Sequence, residues 1–198
     1  MNKNKTPLLY KVGRFLLTPI FKFYYNPKII NKEYIPKDGR VIIAGNHKHL
    51  YDQFLTIIAT KRGINYMAKK EYFDSWKTRW FFKGTGCICV DRQNHGGDSK
   101  EKAMEVLNKD GAIGIFPEGT RNRTEDMLLP FKYGAVSMAK KTDSYILPFG
   151  ITGDYKFRSK NLTIRYGKPF KVGNMTLETA NKKLYKEVQK LMKKNMEK

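Results

Sequence analysis

A histidine and an aspartate stand five residues apart in Asn46-His47-Lys48-His49-Leu50-Tyr51-Asp52, directly after the apolar run Val41-Ile42-Ile43-Ala44-Gly45. Imidazole titrates near neutral pH, at about 6.5 in small peptides. A carboxylate partner fixes its tautomer and favours its protonated form. Such a pair is equipped to take a proton from an alcohol. The same spacing also arises in surface caps and in satisfied core histidines, so the pair acquires meaning only from its surroundings.

A second turn carries more charge. Ile113-Gly114-Ile115-Phe116 runs into Pro117-Glu118-Gly119-Thr120-Arg121, followed by Asn122-Arg123-Thr124. Arginine matches phosphate oxygens with a planar, bidentate fork. Gly119 allows close backbone approach, having no Cβ to clash. The competing interpretation is a tight turn whose charges are simply solvated. Between the two motifs lies Gly86-Cys87-Ile88-Cys89-Val90-Asp91-Arg92, with Ala68-Lys69-Lys70-Glu71 ahead of it. Leu129-Pro130-Phe131-Lys132-Tyr133-Gly134-Ala135 and Ile146-Leu147-Pro148-Phe149 complete the series.

These motifs need a scaffold that brings them together. Apolar runs predict strands at 41–45, 64–68, 86–90, 112–116, 145–151 and 162–166. Helical periodicity predicts helices at 51–61, 75–83, 98–109, 132–141 and 176–196. Asp98 or Ser99 is placed to cap the third helix, and Gly111 to close it. This alternation means an α/β domain with a mostly parallel central sheet flanked by helices. Ligand sites in such sheets collect at the strand ends. The motifs at 46–52 and 116–121 each follow a strand directly, so both open on that edge. Asn94-His95-Gly96-Gly97 is the best candidate for a flexible loop beside them.

The composition of the 198-residue chain, 40% apolar and 13% aromatic, fits one folded domain rather than a disordered tail. Its formal charge of +21 predicts attraction to a polyanion: nucleic acid, an anionic bilayer or a phosphorylated substrate. The N-terminus narrows that choice. From Leu8 to Tyr25 the residues are apolar or aromatic except along a stripe of Lys11, Arg14, Thr18 and Lys22. The charge-free stretch Phe15 to Phe21 is far short of the roughly 20 residues that cross a bilayer. No small-residue cleavage site follows it, as a secretory signal peptide requires. Pro19 should kink or split the segment. One kinked helix, or two short ones, lying in the membrane interface is expected; a first helix packed on the core is the alternative. The C-terminal segment, Thr176 to Lys198, sets Leu177, Leu184, Val188, Leu191 and Met192 on one side and lysines on the others, a solvated face. Cys87 and Cys89 read as small buried thiols in a reducing compartment. No Cys/His cluster has metal-ligand spacing.

As an ordered set the motifs resemble the lysophospholipid acyltransferase family, typified by 1-acylglycerol-3-phosphate acyltransferase. The matching blocks are NHxxxxD at Asn46–Asp52, GxxxxxR at Gly86–Arg92, FPEGTR at Phe116–Arg121, and the apolar block centred on Pro148. The resemblance selects His47 over His49 as general base and Asp52 as the acid that orients it. It also implies an acceptor site built from Lys69, Arg92, Glu118, Gly119 and Arg121, with Arg121 first on the phosphate. The implied reaction moves a fatty acyl group from an acyl thioester to the 2-hydroxyl of 1-acyl-sn-glycerol 3-phosphate, giving phosphatidic acid. No cofactor or metal is expected; the co-substrate is a thioester of coenzyme A or acyl carrier protein. The resemblance also implies N-terminal helices, residues 1–35, that dock on an anionic membrane ahead of a catalytic domain at 36–198. Together with the thiols, this describes a peripheral, monotopic protein on the cytoplasmic face of the cell membrane. The alternatives are another lyso-lipid or glycerol 3-phosphate as acceptor and, more remotely, a basic nucleic-acid-binding module. Basic residues scattered over the whole chain, with no nucleic-acid fold motif, argue against nucleic acid as a partner.

Overall fold

Every residue of β2, Val41–Gly45, is buried, which requires cover on both faces of the sheet. The computed structural model describes residues 5–91 and 97–197. In chain order it contains α1 (Leu8–Tyr25), β1 (Lys28–Ile30), β2, α2 (Asp52–Ala59), β3 (Asn65–Lys69), α3 (Glu71–Asp74) and α4 (Trp76–Gly84). There follow β4 (Ile88–Val90), α5 (Gly97–Asn108), β5 (Ala112–Ile115), α6 (Gly134–Thr142), β6 (Tyr145–Thr152), β7 (Thr163–Tyr166) and α7 (Leu177–Met196). The seven strands form one sheet in the order β1-β7-β6-β2-β5-β3-β4. All neighbouring pairs are parallel except β6 with β7. Strands β6, β2, β5, β3 and β4 therefore end on one edge.

Alternation along each strand divides the core in two. Ile42 and Ala44 of β2 join Ile113 and Ile146 in a layer completed by residues of α5, α6 and α7. Val41 and Ile43 join Leu147 and Phe149 in the opposite layer, with Leu55 and Ile58 of α2 and Phe21 of α1. This is the expected α/β architecture. Three short elements were not anticipated: the edge strand β1, the 3-10 turn at Lys32–Tyr34 and the single turn α3. Boundaries also differ. β4 begins at Ile88 because the preceding amides finish α4: Gly86 N–H donates to Lys83 at 3.1 Å and Cys87 N–H to Phe82 at 3.0 Å. Helix α5 starts at Gly97, so neither Asp98 nor Ser99 occupies the cap position. Its other end is closed by Asp110, at φ 57°, with Gly111 one residue later. The Gly111 N–H reaches Val106 and the Asp110 N–H reaches Leu107, both at 2.9 Å, the paired bonds of a Schellman ending. In α7 the buried face runs through Ala180, Leu184, Val188, Leu191 and Met192, while Leu177 is exposed.

Helix α1 continues as one helix through Pro19. Tyr10 and Phe21 are its buried residues. Arg14 points the same way, its Nε donating to the Thr60 carbonyl at 2.6 Å and the Ile57 carbonyl at 3.2 Å. Those carbonyls lie at the end of α2, where a cation complements the helix dipole. Val12, Phe15, Leu16, Ile20 and Phe23 face outward and are exposed. A core-packed amphipathic helix does the reverse. Among the described residues no helix is long and apolar enough to cross a membrane.

Gly45 faces Phe149 across the β2–β6 ladder. A Cβ at Gly45 would lie 2.3 Å from the Phe149 carbonyl oxygen and 2.4 Å from its ring. Gly45→Ala should therefore lower stability by about 1–3 kcal/mol through overpacking, read as a reduced urea midpoint. An unchanged midpoint would mean that the two strands separate at no energetic cost.

Candidate active site

The strand β2 delivers Asn46 and His47 to the carboxyl edge, and the chain must then turn to start α2. Asn46 is buried and extends the ladder with its side chain. Its Nδ2 donates to the Ile151 carbonyl at 2.9 Å, and its Oδ1 accepts the Ile151 N–H at 2.7 Å. The next residues wrap around the carboxylate of Asp52, the first residue of α2, which is wholly buried. Asp52 Oδ2 accepts from His47 Nδ1 at 2.8 Å and from the backbone N–H groups of Lys48 and His49, both at 2.7 Å. A carboxylate is acceptor-only, so His47 donates from Nδ1 and presents Nε2 as the basic nitrogen. The ring also lies flat against Phe116, centroids 4.0 Å apart and planes 14° from parallel.

His49 is disposed differently. It meets Asp52 through its backbone, while its ring stacks on Tyr155 at 4.3 Å. Burial lowers the proton affinity of His49, the Asp52 charge opposes that effect, and the Arg121 charge reinforces it. Of the two histidines the motif offers, His47 brings its ring to the acid.

The second motif is tied to the first by its backbone. Glu118 is 4% exposed and turned inward. Its Oε1 accepts the His47 N–H at 2.6 Å and its Oε2 accepts the Leu129 N–H at 2.8 Å. Both oxygens thus hold chain segments in register. The Asn122 N–H donates to the His47 carbonyl at 2.7 Å, which sets Arg121 one residue from the dyad's own backbone. Arg121 is exposed. Gly119 has φ +70° and donates its N–H to the Phe116 carbonyl at 2.9 Å. A Cβ there would come within 2.9 Å of Lys132 Cε and 3.0 Å of its Nζ, so the glycine lets the lysine lie over the turn. Lys69 ends β3 on the same edge and is exposed. It is two strands from β2, about 10 Å at ordinary strand spacing. Arg92 and residues 94–96 of the expected loop lie outside the described residues. Among the described residues no group of three or more His, Cys, Asp or Glu side chains could hold a metal ion.

Sequence reasoning did not single out Asn46, Tyr155 or Lys132 as site residues. Asn46 stands inside a motif block and Lys132 in the segment Leu129–Ala135 that follows the second one, so both carried some signal. Tyr155 follows β6 in a loop and donates to Asp52 Oδ1 at 2.6 Å; nothing in its neighbourhood marks it.

The profile of the family described as Acyltransferase matches residues 26–152, well over half of the chain. The chain is 34% identical over 146 residues to the 1-acyl-sn-glycerol-3-phosphate acyltransferase of Bacillus subtilis, covering 73% of this chain and 72% of that protein. It is 33% identical over 141 residues to the protein of that name from Borreliella burgdorferi, covering 70% of this chain and 56% of that one. The crystal structure of the 1-acyl-sn-glycerophosphate acyltransferase of Thermotoga maritima superposes with a TM-score of 0.76 at 21% identity, over 96% of this chain and 79% of that one. That last likeness shows the shared fold.

Burial raises the Glu118 carboxyl above its usual value of 4.5, and the Leu129 and His47 amides pull it back only in part. As pH falls, the native protein takes up this proton before the unfolded chain does. The group's contribution to stability is full below the unfolded value and is lost as pH rises through the native one. The stability of wild type relative to Glu118→Gln should accordingly decline from about pH 4 towards neutrality, measured by urea unfolding at a series of pH values. A pH-independent difference would show that Glu118 ionises as it does in the unfolded chain.

Proposed function

The chain belongs to the acyltransferase family, and we propose that it acylates the 2-hydroxyl of 1-acyl-sn-glycerol 3-phosphate, forming phosphatidic acid. The names of the relatives support this acceptor. The observation that carries the chemistry is the 2.8 Å bond between His47 Nδ1 and buried Asp52, at the edge where Arg121 also stands. His47 Nε2 takes the hydroxyl proton as the oxygen attacks the thioester carbonyl. Asp52 stabilises the imidazolium that forms, and the imidazolium returns the proton to the departing thiolate. The substrate supplies the nucleophile, so no acyl-enzyme is formed. Arg121, with Lys69 and Arg92, takes the acceptor phosphate; Lys132 adds a cation over the same turn. The donor is an acyl thioester of coenzyme A or acyl carrier protein, both acidic and suited to a chain of charge +21.

The same reading places the protein on an anionic bilayer, at the cytoplasmic face, with residues 1–35 docking and 36–198 catalysing. Its support is the outward apolar face of α1, where Phe15 is 76% exposed. Helix α4 adjoins it, as Leu9 packs over Gly84. On α4, Trp76 and Trp80 are 79% and 63% exposed beside Lys77, Arg79 and Lys83, with no acid on the helix. Tryptophan and cations are the residues that anchor in a membrane interface. The free thiols of Cys87 and Cys89 suit a reducing compartment.

His47→Ala should reduce turnover by about 10²–10⁴-fold with an unchanged thermal midpoint; full turnover refutes the base. Arg121→Ala should raise the KM for the phosphorylated acceptor more than the KM for the thioester, and equal changes would move the phosphate elsewhere. In flotation with vesicles containing phosphatidylglycerol, Phe15→Glu combined with Ile20→Glu should leave the protein in the soluble fraction. Undiminished flotation removes α1 from the membrane contact.

A further inference from the structure

Among the described residues, three of the four hydrogen bonds to the Asp52 carboxylate fall on Oδ2, and they come from the loop that precedes it. The fourth holds Oδ1, and it comes from Tyr155 at 2.6 Å. Tyr155 follows the end of β6 and the bend at Gly153, φ +84°. Its ring is fixed from several sides. It stacks on His49 at 4.3 Å and meets Tyr25 at 5.6 Å, Tyr51 at 6.3 Å and Phe21 at 6.5 Å in edge-to-face contacts. Burial, and after it the charge of Asp52, pushes the Tyr155 phenol above its ordinary range, which keeps it a proton donor.

We infer that Tyr155 is a positioning residue for acyl transfer: by holding Oδ1 it braces the Asp52 carboxylate against rotation from its second edge, and so steadies the direction in which His47 presents Nε2. The inference rests on the dyad described above. Rotation about the Cβ–Cγ bond moves both carboxylate oxygens together, so the Tyr155 bond at Oδ1 resists, from the opposite edge of the group, the same turn that the three donors at Oδ2 resist. Tyr155 touches the acid and acts on the reaction through it.

The test is Tyr155→Phe in the full chain, which keeps the ring contacts and removes the one hydroxyl. A hydrogen bond to a charged group predicts a fall in kcat of about 10–100-fold, with the KM for acceptor and thioester each within twofold. On an Asp52→Asn background the same change should have no further effect on kcat, since its route through the carboxylate is already gone. An unchanged kcat, a rise in KM alone, or equal and additive losses in both backgrounds would each overturn the assignment. If Tyr155→Phe does not fold, Tyr25→Leu tests it by loosening the ring support, with a smaller loss in kcat expected and no change in KM; an unaltered kcat there overturns it. Full activity in His47→Ala removes the dyad and this inference together, whereas a normal Tyr155→Phe beside an inactive His47→Ala removes this inference alone.

Discussion

The carboxylate of Asp52 is buried completely, and the architecture of the site follows from the need to satisfy it. Taking an ion out of water costs several kcal/mol even after the protein relaxes, so the group must be surrounded by donors. Among the described residues it has four: an imidazole, two backbone amides and a phenol. The amides can reach it only if the chain between β2 and α2 curls back on the start of the helix. That curl brings the imidazole of His47 to the acid, and the spacing of five residues is the length it requires. Once closed, the loop is tied outward as well. Asn46 fastens it to β6, and Glu118 and Asn122 fasten it to the turn after β5. The neighbours of β2 in the sheet, β5 and β6, are the two strands that supply these ties.

Local features of this arrangement were legible in the sequence because their cause is local. A strand, a turn and a helix start within a dozen residues fix His47 and Asp52 together, and an apolar run into a Pro/Gly turn fixes Glu118, Gly119 and Arg121 at the next strand end. What escaped notice is mostly long-range. Tyr155 lies 103 residues from Asp52, and an aromatic residue in a loop has no periodicity to betray it. Strand β1 is only three residues long, below the length at which alternation becomes a signal. Glu118 was expected in the acceptor site, on the strength of its place in the FPEGTR block. Its burial and its two amide donors were visible only once the chain was folded.

The N-terminal helix shows a different limit. The pattern from Leu8 to Tyr25 defines a polar stripe and a broad apolar arc, but periodicity does not say on which side the protein lies. Arg14 decides it. Its guanidinium turns inward to the carbonyls at the end of α2, an arrangement that satisfies the last turn of a helix. The apolar arc is thereby turned away from the protein. Part of the chain's positive charge is engaged in holding carbonyls in the same way, as with Arg14 and Arg62.

Both faces of α1 bear on the same problem. A lyso-lipid acceptor keeps its acyl chain in the bilayer, so only its headgroup and adjacent hydroxyl are free to reach a base. The proposed base must then stand close to the surface proposed to meet the membrane. The outer face of α1 carries Phe15, Ile20 and Phe23, while the inner face places Phe21 and Tyr25 against Tyr155, the donor that holds Asp52. From the outer face of the helix to the buried Asp52 the path is therefore one helix and one aromatic ring. With α1 docked as proposed, a hydroxyl attached to a chain still in the lipid has a short distance to cover.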